Sequence, residues 1–501
     1  MSQNSTQGSA AATATSPVGV DAIPGPAKIV LTVLVFTAFV MLLNETTLAV
    51  ALPSIMADYS VTVTTAQWLI TGFMLTLAVV MPTTGWILER FTIRPVFIFA
   101  VSAFLVGTVL ASLAPSFVLL LVARVAQAIG TAVTLPLLMT VAMALVPVPR
   151  RGAIMGLIAM ALAVGPGLGP TVAGLILSFT TWHGIFLSMM PLVAIAAIIG
   201  AAKLTNIGGT RSAPFDLLSV ILSVFAFGGL VYGLSSIGAI VEGGETARTA
   251  VIVLAVGVTG LGLFVWRQVA RGRKERALLD LRPLTVRNFT LSLIVVMCLM
   301  AAMLGVLNIL PLYLQGSLLV TALLSGLALL PGGLLEGVLS PVFGRLYDRH
   351  GPRPLIIPGM IAVTVSLFWL STVDENTGVW LVVTVHVIFS IGLAGLLSPL
   401  MTTALGSLPS YLYSHGSAIL NTLQQLAGAA GTATTIAVYS SVAARTAHHA
   451  PEAVALADGA NSALLATAVT SVVALVLSLF ITRIPSRVVA SNTGPHLTTH
   501  G

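Results

Sequence analysis

Glu45, Glu336 and Arg124 are ionisable side chains set inside apolar runs of about 20 residues, where charge is expensive. A carboxyl group in such a place has specific chemistry. Burial favours its neutral form, whereas access to water or to a cation favours the carboxylate, so one group can exchange a proton for a cation. The alternative for Glu45 and Glu336 is a structural acid bonded to a neighbouring helix or a cavity water. Arg124 stands three residues before Gln127 and shares a helix face with it. Its alternative is a helix-end arginine that snorkels to an interface. Asn44, Gln67, Trp68, Asn308, Tyr313, Gln315, Asn421, Gln424 and Gln425 place polar and aromatic groups in or near the apolar runs. An apolar pocket with a few such groups suits amphipathic molecules, although several of them equally suit bonds between helices.

Other candidates carry less. Gly165, Pro166, Gly169, Pro170 and Gly174 fall in one apolar run, where they bend a helix and allow close approach of a neighbour. Asp216 opens another run and reads as an N-cap. His386 is a lone imidazole in an apolar run and reads as core, and Cys298 reads as a buried thiol. His448 and His449 lack further ligands at metal spacing, so no metal site is assigned. The polar residues do not group into a nucleophile, base or metal cluster, which argues against an enzyme. A phosphate-binding glycine loop of the ATPase type is absent, and the loops are too short for a receptor's output domain.

The elements that position these residues follow from composition. The chain has 501 residues, 57% of them hydrophobic and 7% charged, against roughly 25% charged in a soluble domain. Within hydrocarbon the backbone must bond to itself, so long apolar runs become helices. Runs long enough to cross about 30 Å of hydrocarbon occur fourteen times between residues 28 and 482, giving an all-α integral membrane protein. Residues 1–27, rich in Ser, Thr, Ala and Gly, are expected to form a disordered tail with no cleaved signal peptide.

Charge orients the helices. With the N-terminus in the cytoplasm, 19 of the 22 Lys and Arg residues fall on the cytoplasmic side, against Arg248 and Arg445 outside and Arg124 within a run. Asp58, Glu242, Glu245, Asp374, Glu375, Glu452 and Asp458 fall on the other side. This segregation predicts cytoplasmic termini and an even number of spans. The basic residues are topology signals, with no aromatic-basic groove for a nucleic acid.

One loop occurs twice. Gly85, Glu89, Arg90 and Arg94 recur at the same spacing as Gly344, Asp348, Arg349 and Arg353, eight spans later. In each copy a helix ends at a close-packing glycine, followed by an acid and bases that can pair across helix ends and latch one conformation. The pair resembles the signature of the major facilitator superfamily, whose two six-helix halves are repeats. Further motifs resemble its fourteen-helix drug:proton antiporter branch, of the lincomycin and multidrug exporter type. These are Leu43 to Thr46 with Ala51 to Pro53, Gln67 with Trp68, Leu121 to Gly130, Gly165 to Pro170, Leu310 to Gln315, and His415 to Gly428.

The resemblance implies a major facilitator fold of 6+2+6 helices. The halves would be 28–203 and 288–483, with an inserted pair and basic loop at 204–287 and a tail at 484–501. It implies a proton-coupled exporter of lipophilic or cationic drugs, working without a cofactor as a monomer in a bacterial inner membrane. An uptake symporter or facilitator of the same fold is the alternative. By resemblance Arg124 is the fourth-helix arginine of proton coupling, and Gly165 to Gly174 form the antiporter motif typical of exporters. Many family members carry Asp where Asn44 stands, so the carboxylate of Glu45 is displaced by one residue, about 100° around the helix.

Overall fold

The computed structural model describes residues 23–204, 215–237, 240, 243–272 and 276–483. Every regular element among them is helical. Fourteen helices are long and apolar enough to cross a membrane. They are α1 (Gly25–Tyr59), α2 (Val63–Arg90), α3 (Ile93–Ser112), α4 (Phe117–Leu145), α5 (Arg151–Leu177) and α6 (His183–Lys203). Next come α7 (Leu217–Ser235) and α8 (Gly244–Gly272). The last six are α9 (Arg287–Gly316), α10 (Ala322–His350), α11 (Arg353–Leu370), α12 (Val379–Gly406), α13 (Tyr413–Thr446) and α14 (Glu452–Ser478).

Several helices run beyond the apolar stretch that marks them. α1 has 35 residues, roughly 50 Å of helix, and starts at Gly25 because Pro26 suits a first turn and Pro24 ends the extended chain. Residues 25–27 are therefore helical, and the expectation of a disordered tail otherwise falls outside the described residues. The seventh span is interrupted: a π turn at Val224–Gly228 divides Leu217–Ser223 from Gly229–Ser235.

The first six helices pack on one another and so do the last six, and one apolar core runs continuously through both groups. The halves meet mainly where α5 lies along α10 and α2 along α13. The pair α7 and α8 packs on itself, with Phe227 against Phe264 at 5.6 Å, and touches α2 and α13 from outside. Lys28, Arg90, Arg94, Arg150, Arg151, Lys203, Arg267, Arg271, Arg345, Arg349 and Arg353 sit at one end of the bundle, here called the basic end. Asp58, Asp374, Glu375 and Glu452 sit at the opposite, acidic end.

Asp216 stands at the N-cap position of α7 but caps no backbone N–H. Its carboxylate instead takes Arg267 through two bonds of 2.8 and 3.0 Å, Arg271 at 3.2 Å and the Ser219 hydroxyl at 2.6 Å. Charged donors outcompete a neutral amide for a carboxylate. Burial pushes this acid up, but those bonds and the two arginine charges outweigh it and hold it down at about 2. Gln268 completes the seam, donating to Ser219 and accepting from the N–H groups of Leu278 and Leu279. The loop that follows α8 is thereby tied to the inserted pair.

Candidate functional site

Arg124 is fully buried on α4, about two turns from the acidic end. Its presence there requires partners, and α1, α2 and α4 supply them. Nη1 donates to Asn44 Oδ1 and to Gln127 Oε1, each at 3.0 Å, and Nε donates to the Leu69 carbonyl at 3.4 Å. The guanidinium carbon lies 4.1 Å from the centre of the Phe73 ring, a cation–π contact in a dry site. Gln127 is fixed in turn by donating to Thr108 Oγ1 at 3.0 Å. Sequence spacing correctly put Gln127 on the same face as Arg124. Arg124 is thus held in the core of the first half, and the snorkelling alternative does not describe it.

The nearest partner of the cation is a neutral amide. Asn44 is itself fully buried, and with Oδ1 turned to Arg124 its Nδ2 has no partner among the described residues. Arg124 Nη2 is likewise unpartnered. Two buried donors without acceptors mark a place where a water or a carboxylate oxygen would fit. Glu45, half-buried on the next position of α1, makes no hydrogen bond among the described residues.

The glycine-rich segment of α5 seats directly on this turn of α1. A methyl added at Gly165 would lie 3.2 Å from Leu42 Cβ, and one added at Gly169 would overlap Thr46 Oγ1. Only glycine lets the two backbones come this close. Gly174, one turn further, has open space around it. The segment picked out by sequence therefore touches the residues that flank Glu45.

Glu336 lies midway along α10, buried, with Oε1 unpartnered. Its neighbours place it where α5, α10 and α12 meet: Gly332 faces His386 and Ser390 of α12, and Gly337 faces Val164 of α5. His386 is buried, stacked on Phe389 with 6.2 Å between ring centres, and its Nδ1 is unpartnered. Glu45 and Glu336 thus belong to opposite halves, and α5 contacts the surroundings of both.

The duplicated loops meet at the basic end, and their acids reach across to the other half. Asp348 accepts from the backbone N–H groups of Gly152 at 2.7 Å and Ala153 at 2.9 Å, in the first turn of α5. A carboxylate at a helix N-terminus satisfies free donors and meets the positive end of the helix dipole. The approach depends on Gly152 and Gly344, whose backbones are in direct contact. Ser398 donates to the Gly152 carbonyl at 3.1 Å, and Arg151 donates to Tyr413 Oη at 3.1 Å. The other copy behaves differently: Glu89 pairs with the imidazole of His415 at 3.1 Å, in the first turn of α13. His415 Nδ1 accepts from the Asp280 N–H at 3.2 Å, which links the α8–α9 loop to the same point. The sequence led us to expect acids and bases pairing across helix ends. Of the two acids, Glu89 meets a base across helix ends in His415, and Asp348 takes a helix terminus; Arg349 is exposed and Arg353 donates to the Ile481 carbonyl. Gly152, Ala153, Ser398 and Tyr413 were not singled out from sequence. For Gly152, Ala153 and Tyr413 the signal was position, since α5 and α13 are eight spans apart as the repeat requires; Ser398, on α12, had none.

The remaining polar candidates divide. Asn421, Gln424 and Gln425 share one face of α13. Asn421 donates to the Ser417 carbonyl and approaches Met139 Sδ of the opposite half at 3.2 Å, while Gln424 is buried with Nε2 unpartnered. Asn308 bonds to Leu304 and Thr432, joining α9 to α13. Tyr313 is spent at the acidic end, its hydroxyl on the Asp374 carbonyl at 2.6 Å. Gln67 and Gln315 are exposed, and Trp68 stacks on Tyr232 of the inserted pair at 5.9 Å. These last four are not brought to the Arg124 cluster. Cys298 is half-buried rather than buried.

A chain of two packed six-helix halves with paired latch loops has a family counterpart: the model of the Major Facilitator Superfamily matches residues 34–432. The chain belongs to the major facilitator superfamily. It is a multi-pass membrane protein of a family of transporters. It is 40% identical over 402 residues to lincomycin resistance protein LmrB of Listeria monocytogenes, covering 80% of this chain and 84% of that protein. It is 38% identical over 458 residues to lincomycin resistance protein LmrB of Bacillus subtilis, covering 90% and 95%. Among solved structures, the human organic anion transporter MFSD10 superposes with a TM-score of 0.65 at 13% identity, over 91% of this chain and 100% of that one, a likeness of fold. Membership agrees with the resemblance read from the loops and the Gly165 segment.

Proposed function

We propose that this facilitator is a proton-coupled exporter of lipophilic or cationic drugs, with its basic end in the cytoplasm of a bacterial cell. The observation that carries the coupling is the buried Arg124, whose Nη1 meets the neutral amides of Asn44 and Gln127 and whose Nη2 has no hydrogen-bond partner among the described residues. An ionised Glu45 supplies the missing acceptor by turning toward Arg124, and a protonated Glu45 releases it. Because Gly165 and Gly169 pack on either side of this turn, the state of Glu45 acts on the α1–α5 contact. That contact is one of the surfaces that alternating access has to move. Glu336, on the far side of α5, is a second protonatable group for the same cycle, and Asn421, Gln424 and Gln425 offer polar contacts to a substrate between the halves.

Export is supported by the relatives, which are named for resistance to lincomycin. The test uses everted membrane vesicles with an imposed pH gradient and a cationic dye such as ethidium. The wild-type chain should accumulate dye, and Glu45→Gln should lose gradient-driven accumulation while remaining folded. Undiminished accumulation by Glu45→Gln would remove this residue from the coupling. Gradient-driven uptake in the opposite sense would instead favour a symporter.

A further inference from the structure

The inserted pair carries a feature outside the site proposed for coupling. At the basic end of α8, Trp266, Arg267, Ala270, Arg271 and Arg276 line a pocket of about 330 Å³ on the outer surface of the bundle, within the range of small-molecule sites. Three arginines line it, two of them, Arg267 and Arg271, held by the carboxylate of Asp216. Arg267 is committed to Asp216 by two bonds, whereas Arg271 meets it, among the described residues, through Nε. Arg276 is exposed, has no side-chain partner among the described residues, and is anchored by its N–H to the Arg271 carbonyl at 3.1 Å. Among its lining residues the pocket therefore has an excess of positive charge, with Arg271 positioned by Asp216 and Arg276 anchored to the end of α8 by its backbone.

An apolar lane leads to it. Ile252, Val256, Leu263, Trp266 and Ala270 follow one face of α8, and the first four are exposed, Trp266 to 69%. In a membrane helix that face lies against acyl chains, and an exposed tryptophan beside arginines marks the level of the headgroups. A soluble phosphate would use only the arginines, whereas a phospholipid uses the lane and the arginines together.

We propose that this pocket binds the phosphate headgroup of an anionic glycerophospholipid whose acyl chains lie along α8. The phosphate is held by Arg271 and Arg276 with Trp266 at the headgroup boundary, as basic pockets beside membrane helices hold anionic lipids. The lipid would then fasten the inserted pair and the α8–α9 loop to the bilayer, and through the Asp280 N–H to His415 it would reach the latch of Glu89.

The test is native mass spectrometry of the full-length protein in detergent with phosphatidylglycerol, phosphatidylcholine or inorganic phosphate, each in turn. The wild-type chain should retain phosphatidylglycerol in preference to phosphatidylcholine. Arg276→Gln and Trp266→Ala should each reduce retention, the arginine change by roughly fivefold, one basic residue's share at a membrane surface. Arg345→Gln, at another exposed position of the basic end, should leave it unchanged. Equal retention of both lipids, or equal losses in Arg276→Gln and Arg345→Gln, overturns the proposal. So does inorganic phosphate displacing the lipid at equal concentration, which would show a site for the free ion.

Discussion

The carboxylate of Asp348 sits on the N-terminus of α5, 2.7 Å from the N–H of Gly152, and so fastens the second half of the molecule to the first. The second bond, from Ala153, makes the contact a helix cap that crosses the halves. It lies at the basic end, beside the bonds of Ser398 to Gly152 and of Arg151 to Tyr413. The structure is therefore latched at that end.

Asp348→Asn keeps the shape but loses the charge that these donors meet. Hydrogen bonds to charged groups are worth about 1.5–3 kcal/mol, so the latched population should fall relative to the unlatched one by roughly tenfold or more. Spin labels on the basic ends of α5 and α10 would report this as a longer, broader distance distribution. An unchanged distribution would show that the backbone contact of Gly152 with Gly344 latches the halves alone.

Asn44→Asp puts a carboxylate where Arg124 now meets an amide oxygen at 3.0 Å. A buried cation gains most from a counter-charge that is already in hydrogen-bonding position. The melting temperature in detergent should rise by about 2 °C or more, and transport should slow because Arg124 no longer answers to Glu45. A variant that is less stable, or transports as fast as the wild type, contradicts this.

Gly169→Ala forces a methyl into Thr46 Oγ1. Overpacking of this kind costs about 1–3 kcal/mol, and dye accumulation in vesicles should fall sharply. Thr46→Ala in the same chain removes the obstructing hydroxyl and should restore part of the activity. Failure of the second change to rescue would place the defect elsewhere on α5.

Asp216 gives a pH signature. Burial opposes its ionisation, but Arg267, Ser219 and Arg271 hold it at about 2 in the folded protein, below the ordinary carboxylate value of roughly 3.9. Its contribution is therefore fully present above about pH 4 and is lost as pH falls toward 2. Asp216→Asn should lower thermal stability at pH 7, and the difference from the wild type should shrink steadily between pH 4 and pH 2.5. A constant difference across that range would mean that the carboxylate's charge is not what stabilises the seam.

Sequence by itself determined the helices and their order, although several run past the apolar stretch that marks them. Apolar runs long enough for hydrocarbon allow nothing else, and the alternation of Arg-rich with acidic loops sets the up-and-down order. The repeat of Gly85 to Arg94 in Gly344 to Arg353 also announced two matching halves before any packing was known. Helix periodicity over three residues was enough to put Arg124 beside Gln127.

Only the tertiary structure decided the partners of the charged groups. Arg124 bonds to Asn44, 80 positions away, and Asp348 caps Gly152, 196 positions away, because α1 lies against α4 and α10 against α5. Asp216 looked like an N-cap, but α8 brings Arg267 within reach from 51 positions away. Hydrophobic spacing says which face of a helix is buried and leaves open which neighbour covers it. The latch, the orphaned donors around Arg124 and the arginine pocket all arise from that choice of neighbour.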